Sequence, residues 1–169
     1  MKEVSINKQA RLSQHFTLGE MCKTSAKTAD GNIPSHVHIE NLKRLCPWLE
    51  ELRYTYNSLY CLKPGEDYET LKNVEPVIIT SGYRSPDVNR AVGGADSSNH
   101  LTGCAVDIRC TGVEQAIRYA AILLDAADDR KEDYDELLIE RNRKGHYWVH
   151  FAVRPPKEGN RRKTSIINA

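Results

Sequence analysis

The sequence predicts an α+β fold in which a small, mainly antiparallel sheet packs against helices. Four short segments rich in β-branched and aromatic residues indicate strands; they are 77–80, 105–109, 136–140 and 147–153. The last two are joined by a short charged segment with a glycine, which suits a β-hairpin. A length of 169 residues is typical of one domain. We therefore interpret the chain as a single domain with its core at about 12–153 and a basic, solvated tail at 157–169.

Start signals and apolar spacing predict the helices. Thr17 and Glu20 form a capping box before a short helix, and Ser35 suits the cap of a long one. Apolar residues of the long helix recur at three- and four-residue steps; they are Leu42, Leu45, Leu49, Leu52, Tyr56 and Leu59. Pro47 interrupts this pattern, so we expect a break or kink there. A second amphipathic helix is predicted over 113–127, and 61–75 is a polar connector, either a flap or a solvated loop.

Polar and charged residues gather among glycines in the segment 81–107. Arg84 comes directly after the first predicted strand, and His100 lies on a polar loop before the second. Alternation in that second strand puts Asp107 on the face opposite to its apolar neighbours. Buried carboxylates are rare unless they are paired or bind a metal. The segment therefore predicts a functional site.

A second histidine, His150, stands in the apolar run YWVHFAV of the last predicted strand. Alternation places Trp148, His150 and Ala152 on one face, which we expect to be the face of the site. Two histidines and one carboxylate are the ligand set of a catalytic zinc site that keeps its fourth position open. His100, Asp107 and His150 are therefore the candidate ligands.

Ser98 to Asp107 fits the pattern SxHxxGxAxD, which resembles the zinc D-Ala-D-Ala carboxypeptidases and related phage endolysins. The upstream SGYRSPDVNRAVGGA and the downstream WVH are also similar to this family, and the resemblance covers about 12–153. It implies the hedgehog/DD-peptidase fold. It further implies one zinc ion per chain, bound by His100, Asp107 and His150, and a substrate contact by Arg84.

The general base is the point at which the chain departs from its relatives. Many of them carry an acidic residue three positions before the last histidine ligand, where this chain has Tyr147. Glu140 is our candidate, because pairing it with Trp148 in the hairpin would place it diagonally from His150. His146 is the alternative, as a loop residue that could stabilise the transition state, and Glu136 shares the face of Glu140.

Further residues of the motif region are predicted to shape the cleft. An arginine binds a planar carboxylate with two parallel hydrogen bonds, so Arg84 suits substrate binding. A catalytic role in polarising the scissile carbonyl and a structural salt bridge are the other two interpretations. Tyr83 and Asn99 are candidates to line the cleft, while Ser98 and Asn89 are expected to hold the loop.

Composition excludes several classes of protein. A net charge of +1 argues against nucleic acid as a partner, and no apolar stretch approaches the ~20 residues of a membrane span. The five cysteines are scattered without a CxxC pair, which is typical of reduced thiols. The N-terminal region lacks the apolar segment of a signal peptide, so we expect cytoplasmic synthesis.

The resemblance implies a zinc peptidase that cuts amide bonds of peptidoglycan stem peptides, as a carboxypeptidase or an endopeptidase. Together with the expected cytoplasmic synthesis, it suggests a monomeric lytic enzyme of a phage or prophage that reaches the cell wall after release. Two alternatives stay open. One is an inactive zinc-containing module that binds the cell wall, favoured by Tyr147, and the other is a cytosolic D-Ala-D-Ala dipeptidase.

Overall fold

The computed structural model describes residues 6–168 and confirms the α+β prediction. The helices are α1 (Leu18–Met21), α2 (His36–Tyr60), α3 (Pro86–Ala91) and α4 (Val113–Arg130). The strands are β1 (Ile79–Ser81), β2 (Ala105–Cys110), β3 (Glu136–Arg141), β4 (Tyr147–Ala152) and β5 (Lys163–Asn168). Short 3-10 turns occupy Tyr68–Thr70, Asn99–Thr102 and Pro156–Glu158. The strands form one sheet in the order β1-β2-β4-β3-β5, antiparallel except for the parallel pair β3 and β5.

One face of the sheet is apolar and packs in the core, and the other is polar and carries the candidate site. Val106, Ile108, Val149 and Phe151 point to one face, where they join the apolar stripes of α2 and α4 in the main core. The opposite face carries the polar residues of the site, because side chains alternate along a strand. This division agrees with the alternation predicted for β2 and β4.

Helix α2 runs without interruption through Pro47, so the predicted break is wrong. A proline inside a helix costs ~3 kcal/mol, through its missing N–H and its ring. The residues on either side of it, Cys46 and Trp48, are almost fully buried in the core. Packing of this amphipathic face stabilises the helix enough to offset that cost. The Pro47 carbonyl also accepts a hydrogen bond of 3.0 Å from the Arg130 side chain.

The C-terminal region is solvent-exposed, as the sequence predicted, but part of it forms an edge strand of the sheet instead of a simple tail. β5 runs parallel to β3, with Lys163 opposite Glu136 and Ile167 opposite Glu140. The run Thr164 to Ile167 has the β-branched composition of a strand, but the preceding basic cluster and the two prolines concealed it. The domain therefore extends to the end of the described residues.

Two glycines beside the site, Gly82 and Gly103, pack directly against the backbone of another segment. A Cβ at Gly82 would lie 2.0 Å from the Met21 carbonyl oxygen. Gly103 has a φ of +72°, and a Cβ there would lie 2.6 Å from the His38 carbonyl oxygen. Larger residues at either position would push apart the loop that holds His100 and the helices that support it.

The connector 61–75 lies on the long helix. Its 3-10 turn contacts α2, where the Tyr68 ring packs on Tyr54 with centroids 4.7 Å apart and the Tyr68 hydroxyl accepts from Arg53. None of its residues lines the cleft described below, which argues against the flap interpretation. Within residues 6–168, no helix has the length and apolar character needed to cross a membrane.

Candidate metal centre

Three side chains from separate elements converge on one point of the polar face. His100 comes from the 3-10 turn after α3, Asp107 from β2 and His150 from β4, where it pairs directly with Asp107. All three are buried, and one potential ligand atom from each lies within 4.8 Å of the others. Asp107 Oδ1 is 3.2 Å from His100 Nε2 and 2.9 Å from His150 Nδ1. The sequence prediction that these three residues come together is thus met by the geometry.

The two histidines present different nitrogens to the common point. His100 Nδ1 lies 2.6 Å from the Gly82 carbonyl oxygen, which can only accept, so this nitrogen carries the proton. His100 Nε2 is therefore left with a lone pair towards Asp107. His150 directs Nδ1 to Asp107 and Nε2 to Glu136 Oε2, at 3.4 Å.

Asp107 is also held from the other side. Its Oδ2 accepts a hydrogen bond of 2.5 Å from Arg84 Nη2, while Arg84 Nε donates to Ser81 Oγ at 2.8 Å. The backbone N–H of Arg84 donates to the His100 carbonyl at 3.0 Å. Arg84 therefore ties strand β1, the His100 turn and the carboxylate into one unit.

The electrostatics of the cluster keep the carboxylate ionised. Burial would raise the pKa of Asp107, but the nearby His100 and His150 outweigh it and lower this pKa well below its usual range. Burial lowers the pKa of His100. For His150, burial acts in the same direction, yet hydrogen bonds with Asp107 and Glu136 prevail and raise the pKa to about 9.

The donor set fits zinc. Nitrogen from two histidines and oxygen from one carboxylate is a common catalytic zinc set, and ligand atoms around tetrahedral zinc are about 3.4 Å apart. The observed 2.9 and 3.2 Å separations from Asp107 Oδ1 are close to that spacing. Each histidine also has a partner for its other nitrogen, a carbonyl for His100 and a carboxylate for His150. This is the usual support of a metal-binding histidine.

A cleft of about 570 Å³ opens over the cluster. Glu140, Trp148 and Leu138 form part of its floor, and the hairpin register is the predicted one, with Glu140 opposite Trp148 and Leu138 opposite His150. Burial raises the pKa of Glu140 above its usual value. Arg84 lines the cleft on the β1 side, as predicted from the sequence. The structure therefore brings Glu140 and Arg84 to the cluster.

Other predicted residues have different positions. Tyr83 does not line the cleft: its side chain is buried in the core and stacks on His38, with ring centroids 4.6 Å apart. Asn99 lies at the cleft wall but is buried, and its amide bonds to Asp135 and Glu136. Ser98 caps the His100 turn.

Asn89 holds the neighbouring loop, as expected, through a hydrogen bond of 2.9 Å from Nδ2 to the Ala95 carbonyl. His146 is exposed on the hairpin turn. It lines an adjoining cavity of about 410 Å³, which shares Asp107 and Trp148 with the cleft. Tyr147 lies on the core face of β4, so it is turned away from the cluster.

Sequence reasoning missed a group of charged residues beside His150. Asp135 is fully buried and accepts two hydrogen bonds, of 2.8 and 2.6 Å, from Arg161. Arg154 Nε lies 3.1 Å from the same carboxylate. Lys163 and Arg161 also reach Glu136. The only available signal was the basic cluster near the C-terminus, which alone does not indicate its partners.

The fold and the cluster together define an α+β protein with a buried His-Asp-His group that could bind a metal, at the base of an open cleft. Residues 66–146 match the family model described as Peptidase M15, which is just under half of the chain. This match supports placing the chain in the zinc D-Ala-D-Ala carboxypeptidase-like M15 peptidases, and it confirms the resemblance seen in the sequence. The fold is the hedgehog/DD-peptidase-like one of this family.

The family assignment supports a metallopeptidase by class. The matched segment contains Arg84, His100, Asp107 and Glu140, and it ends four residues before His150. No curated protein matches the chain.

Proposed function

We propose that this protein is a zinc metallopeptidase that hydrolyses amide bonds in the stem peptides of peptidoglycan. The observation that carries the proposal is the buried group of His100, Asp107 and His150 at the base of the cleft. The match of residues 66–146 to the M15 peptidases supports the reaction class. The substrate and the bond that is cut are part of the proposal.

His100 Nε2, Asp107 Oδ1 and His150 Nδ1 would hold the ion. Zinc in such a site supplies Lewis-acid chemistry, which activates water and polarises the amide carbonyl. The protein contributes the rigidity of the site. Gly82 fixes the tautomer of His100, and Arg84 fixes the free oxygen of Asp107. These contacts set the ligand atoms in place before the metal arrives.

Glu140 is the proposed general base. It lies on the cleft floor, diagonal to His150, about 7–8 Å away between backbones by general sheet geometry. A glutamate side chain spans much of that separation, so its carboxylate can accept a proton from the attacking water and give it to the leaving amine. Its raised pKa makes it a better base than an exposed glutamate.

Arg84 is the proposed substrate contact. Two of its nitrogens are engaged with Asp107 and Ser81, while Nη1 donates no hydrogen bond to residues 6–168. This nitrogen is therefore able to donate to a carbonyl or carboxylate of a peptide in the cleft. The cleft lining also includes Arg154, Arg161 and Lys163, which are paired with the carboxylates of Asp135 and Glu136.

The test is the release of new amino groups from purified peptidoglycan, measured after removal of metal by a chelator and again after addition of zinc. We expect release only with zinc, and its loss in a Glu140→Gln variant. Binding to peptidoglycan without amine release would favour the binding-module alternative, for which Tyr147 in place of the usual acid is the supporting observation. Hydrolysis of free D-Ala-D-Ala but not of peptidoglycan would favour a dipeptidase. We further propose that the protein acts in cell lysis by a phage or prophage and that it is a monomer.

A further inference from the structure

The imidazole of His150 bridges two carboxylates. Its Nδ1 faces Asp107 Oδ1 at 2.9 Å, and its Nε2 faces Glu136 Oε2 at 3.4 Å. Glu136 lies on strand β3, two residues before Leu138, and Leu138 is directly opposite His150 on β4. A histidine that gives one nitrogen to a metal commonly donates the other N–H to a carboxylate, which fixes the ring and raises its basicity. Glu136 is in that position.

Glu136 is itself held by three donors. Its Oε2 accepts from Asn99 Nδ2 at 3.1 Å, and its Oε1 accepts from Lys163 Nζ at 3.0 Å. Arg161 Nη2 lies 3.1 Å from the same Oε1. A side chain with both oxygens engaged has little rotational freedom, which suits a carboxylate that orients another residue and not one that moves protons.

Two of these donors come from the C-terminal segment. Lys163 opens β5 and is directly opposite Glu136 in the parallel register. Arg161 precedes β5 and is anchored by its two hydrogen bonds to the buried Asp135. Both lie well beyond residue 146, where the family match ends. The support of Glu136 is thus supplied by a part of the chain outside the matched segment.

We propose that Glu136 is the positioning carboxylate of His150, and that β5 fixes Glu136 in place through Lys163 and Arg161, so that this C-terminal segment sets the metal affinity of the centre. The inference rests on the proposed zinc site. It assigns Glu136 a role different from that of Glu140, although both are glutamates on one face of one strand. It also assigns a function to the basic segment after Gly159.

The experiment measures the zinc affinity of the full chain by competition with a chromophoric chelator. Glu136→Ala is expected to weaken zinc binding by about 10- to 100-fold, the usual effect of removing an outer partner of a ligand. Lys163→Gln should cause a smaller loss and add nothing in the Glu136→Ala background, because the two residues act through one contact. Lys157→Gln is the matched control, since it removes one exposed positive charge from the same region and should leave zinc affinity unchanged.

A proton spectrum of the zinc-loaded protein gives a second measure. The Nε2–H of His150 should give a downfield resonance that disappears in His150→Ala, weakens or shifts in Glu136→Ala, and is kept in Glu140→Gln. Circular dichroism and melting temperature identify variants that fail to fold, and in that case Lys163→Gln, on the exposed edge strand, decides.

The outcomes separate the two proposals. Equal zinc affinity in the wild-type protein, Glu136→Ala and Lys163→Gln would overturn the positioning role of Glu136. The proposed zinc site would not be affected by that result. Wild-type protein that binds no zinc overturns the site and this inference together. A loss in Lys157→Gln equal to that in Lys163→Gln would show a general charge effect and would also overturn the role of β5.

Discussion

The two ends of strand β3 carry the same residue in equivalent positions and surround it differently. Glu136 and Glu140 both point to the site face, and each is diagonal to His150 because Leu138 is directly opposite it. The side chain of Glu136 accepts hydrogen bonds from Asn99 and Lys163, and its Oε2 lies 3.4 Å from His150 Nε2. The side chain of Glu140 has Trp148 as its hydrogen-bonding partner, and the dominant influence on its pKa is burial.

Strand β5 makes the difference. It places Lys163 opposite Glu136 and Ile167 opposite Glu140. The hydrogen bond with His150, followed by that with Lys163, lowers the pKa of Glu136 well below its usual range. Burial raises the pKa of Glu140 instead. Carboxylates whose surroundings push their pKa values apart commonly have separate tasks in one site. Here one carboxylate is suited to hold a ligand and the other to exchange a proton.

The largest effect is expected from removing the residue that both glutamates flank. His150→Ala deletes one of the three proposed ligands, so the protein should lose stoichiometric zinc and, with it, peptidase activity. Metal analysis of protein purified without added zinc measures this directly. Full retention of zinc would show that His150 is not a ligand. The roles assigned to Glu136 and Glu140 would then have no basis, because both depend on their position beside His150.

Next in size is the exchange of Glu140 for glutamine. Glu140→Gln should keep zinc and melt near the wild-type temperature, yet hydrolyse peptidoglycan about 10²–10⁴-fold more slowly, the usual contribution of a general base. Glutamine keeps the size of the side chain but does not accept the proton. Glu136→Ala should show the reverse behaviour, with weaker zinc binding and activity that recovers at saturating zinc.

His146→Ala and Tyr147→Phe belong beside that measurement. His146 is exposed in the adjoining cavity and Tyr147 faces the core, so both variants should remain active. An inactive His146→Ala with an active Glu140→Gln would transfer the base to the hairpin turn.

A smaller loss is expected at Arg84, on the other side of the cluster. Arg84→Lys should keep the fold and the metal and lose activity by about 10- to 100-fold, from the ~1.5–3 kcal/mol of one hydrogen bond to a charged group. A lysine has a single charged nitrogen. It does not keep the contacts with both Asp107 and Ser81 and at the same time donate to the substrate. Kinetics on peptidoglycan fragments measure the effect, and unchanged rates would reduce Arg84 to the partner of Asp107.

The smallest effect tests the comparison most directly. Ile167→Lys would give Glu140 a cation like the one that Glu136 has. An opposite charge favours the ionised form, so the pKa of Glu140 should fall by about one unit or less at this partly exposed edge. The acid limb of the pH profile of kcat/KM should then move to lower pH, because the base is deprotonated at a lower pH.

Ile166→Lys is the matched control for that profile. It adds the same charge one residue earlier on β5, opposite Ile139 and on the other face of the sheet. We expect no shift of the acid limb in this variant. Equal shifts in both would indicate a change in the overall charge and not a local contact with Glu140.

Local patterns in the sequence were enough for most of the elements and for the residues of the buried His-Asp-His group. The capping signals placed the starts of α1 and α2. Alternation in β2 and β4 placed Asp107 and His150 on one face, because a period of two follows from backbone geometry alone. The hairpin register assumed from the sequence, with Glu140 opposite Trp148, is the one that the structure has.

Interactions between distant segments could not be read in this way. The continuity of α2 through Pro47 depends on the core that surrounds it, and the burial of Tyr83 depends on its stack with His38. The pairing of β5 with β3 is parallel and joins residues 27 apart, such as Glu136 and Lys163. No turn sets the register of such a pair, so only packing determines which residue Lys163 meets.

The sequence by itself indicated the His-Asp-His group, the face on which it lies and a candidate base, through residue type, strand periodicity and the resemblance to a known family. The tertiary structure alone decided what lies around them: Gly82 beside His100, Arg84 on Asp107, and Lys163 on Glu136. The reason is physical. A residue type and a strand period are local properties of the chain, whereas the partner of a charged side chain is set by which distant segment packs beside it.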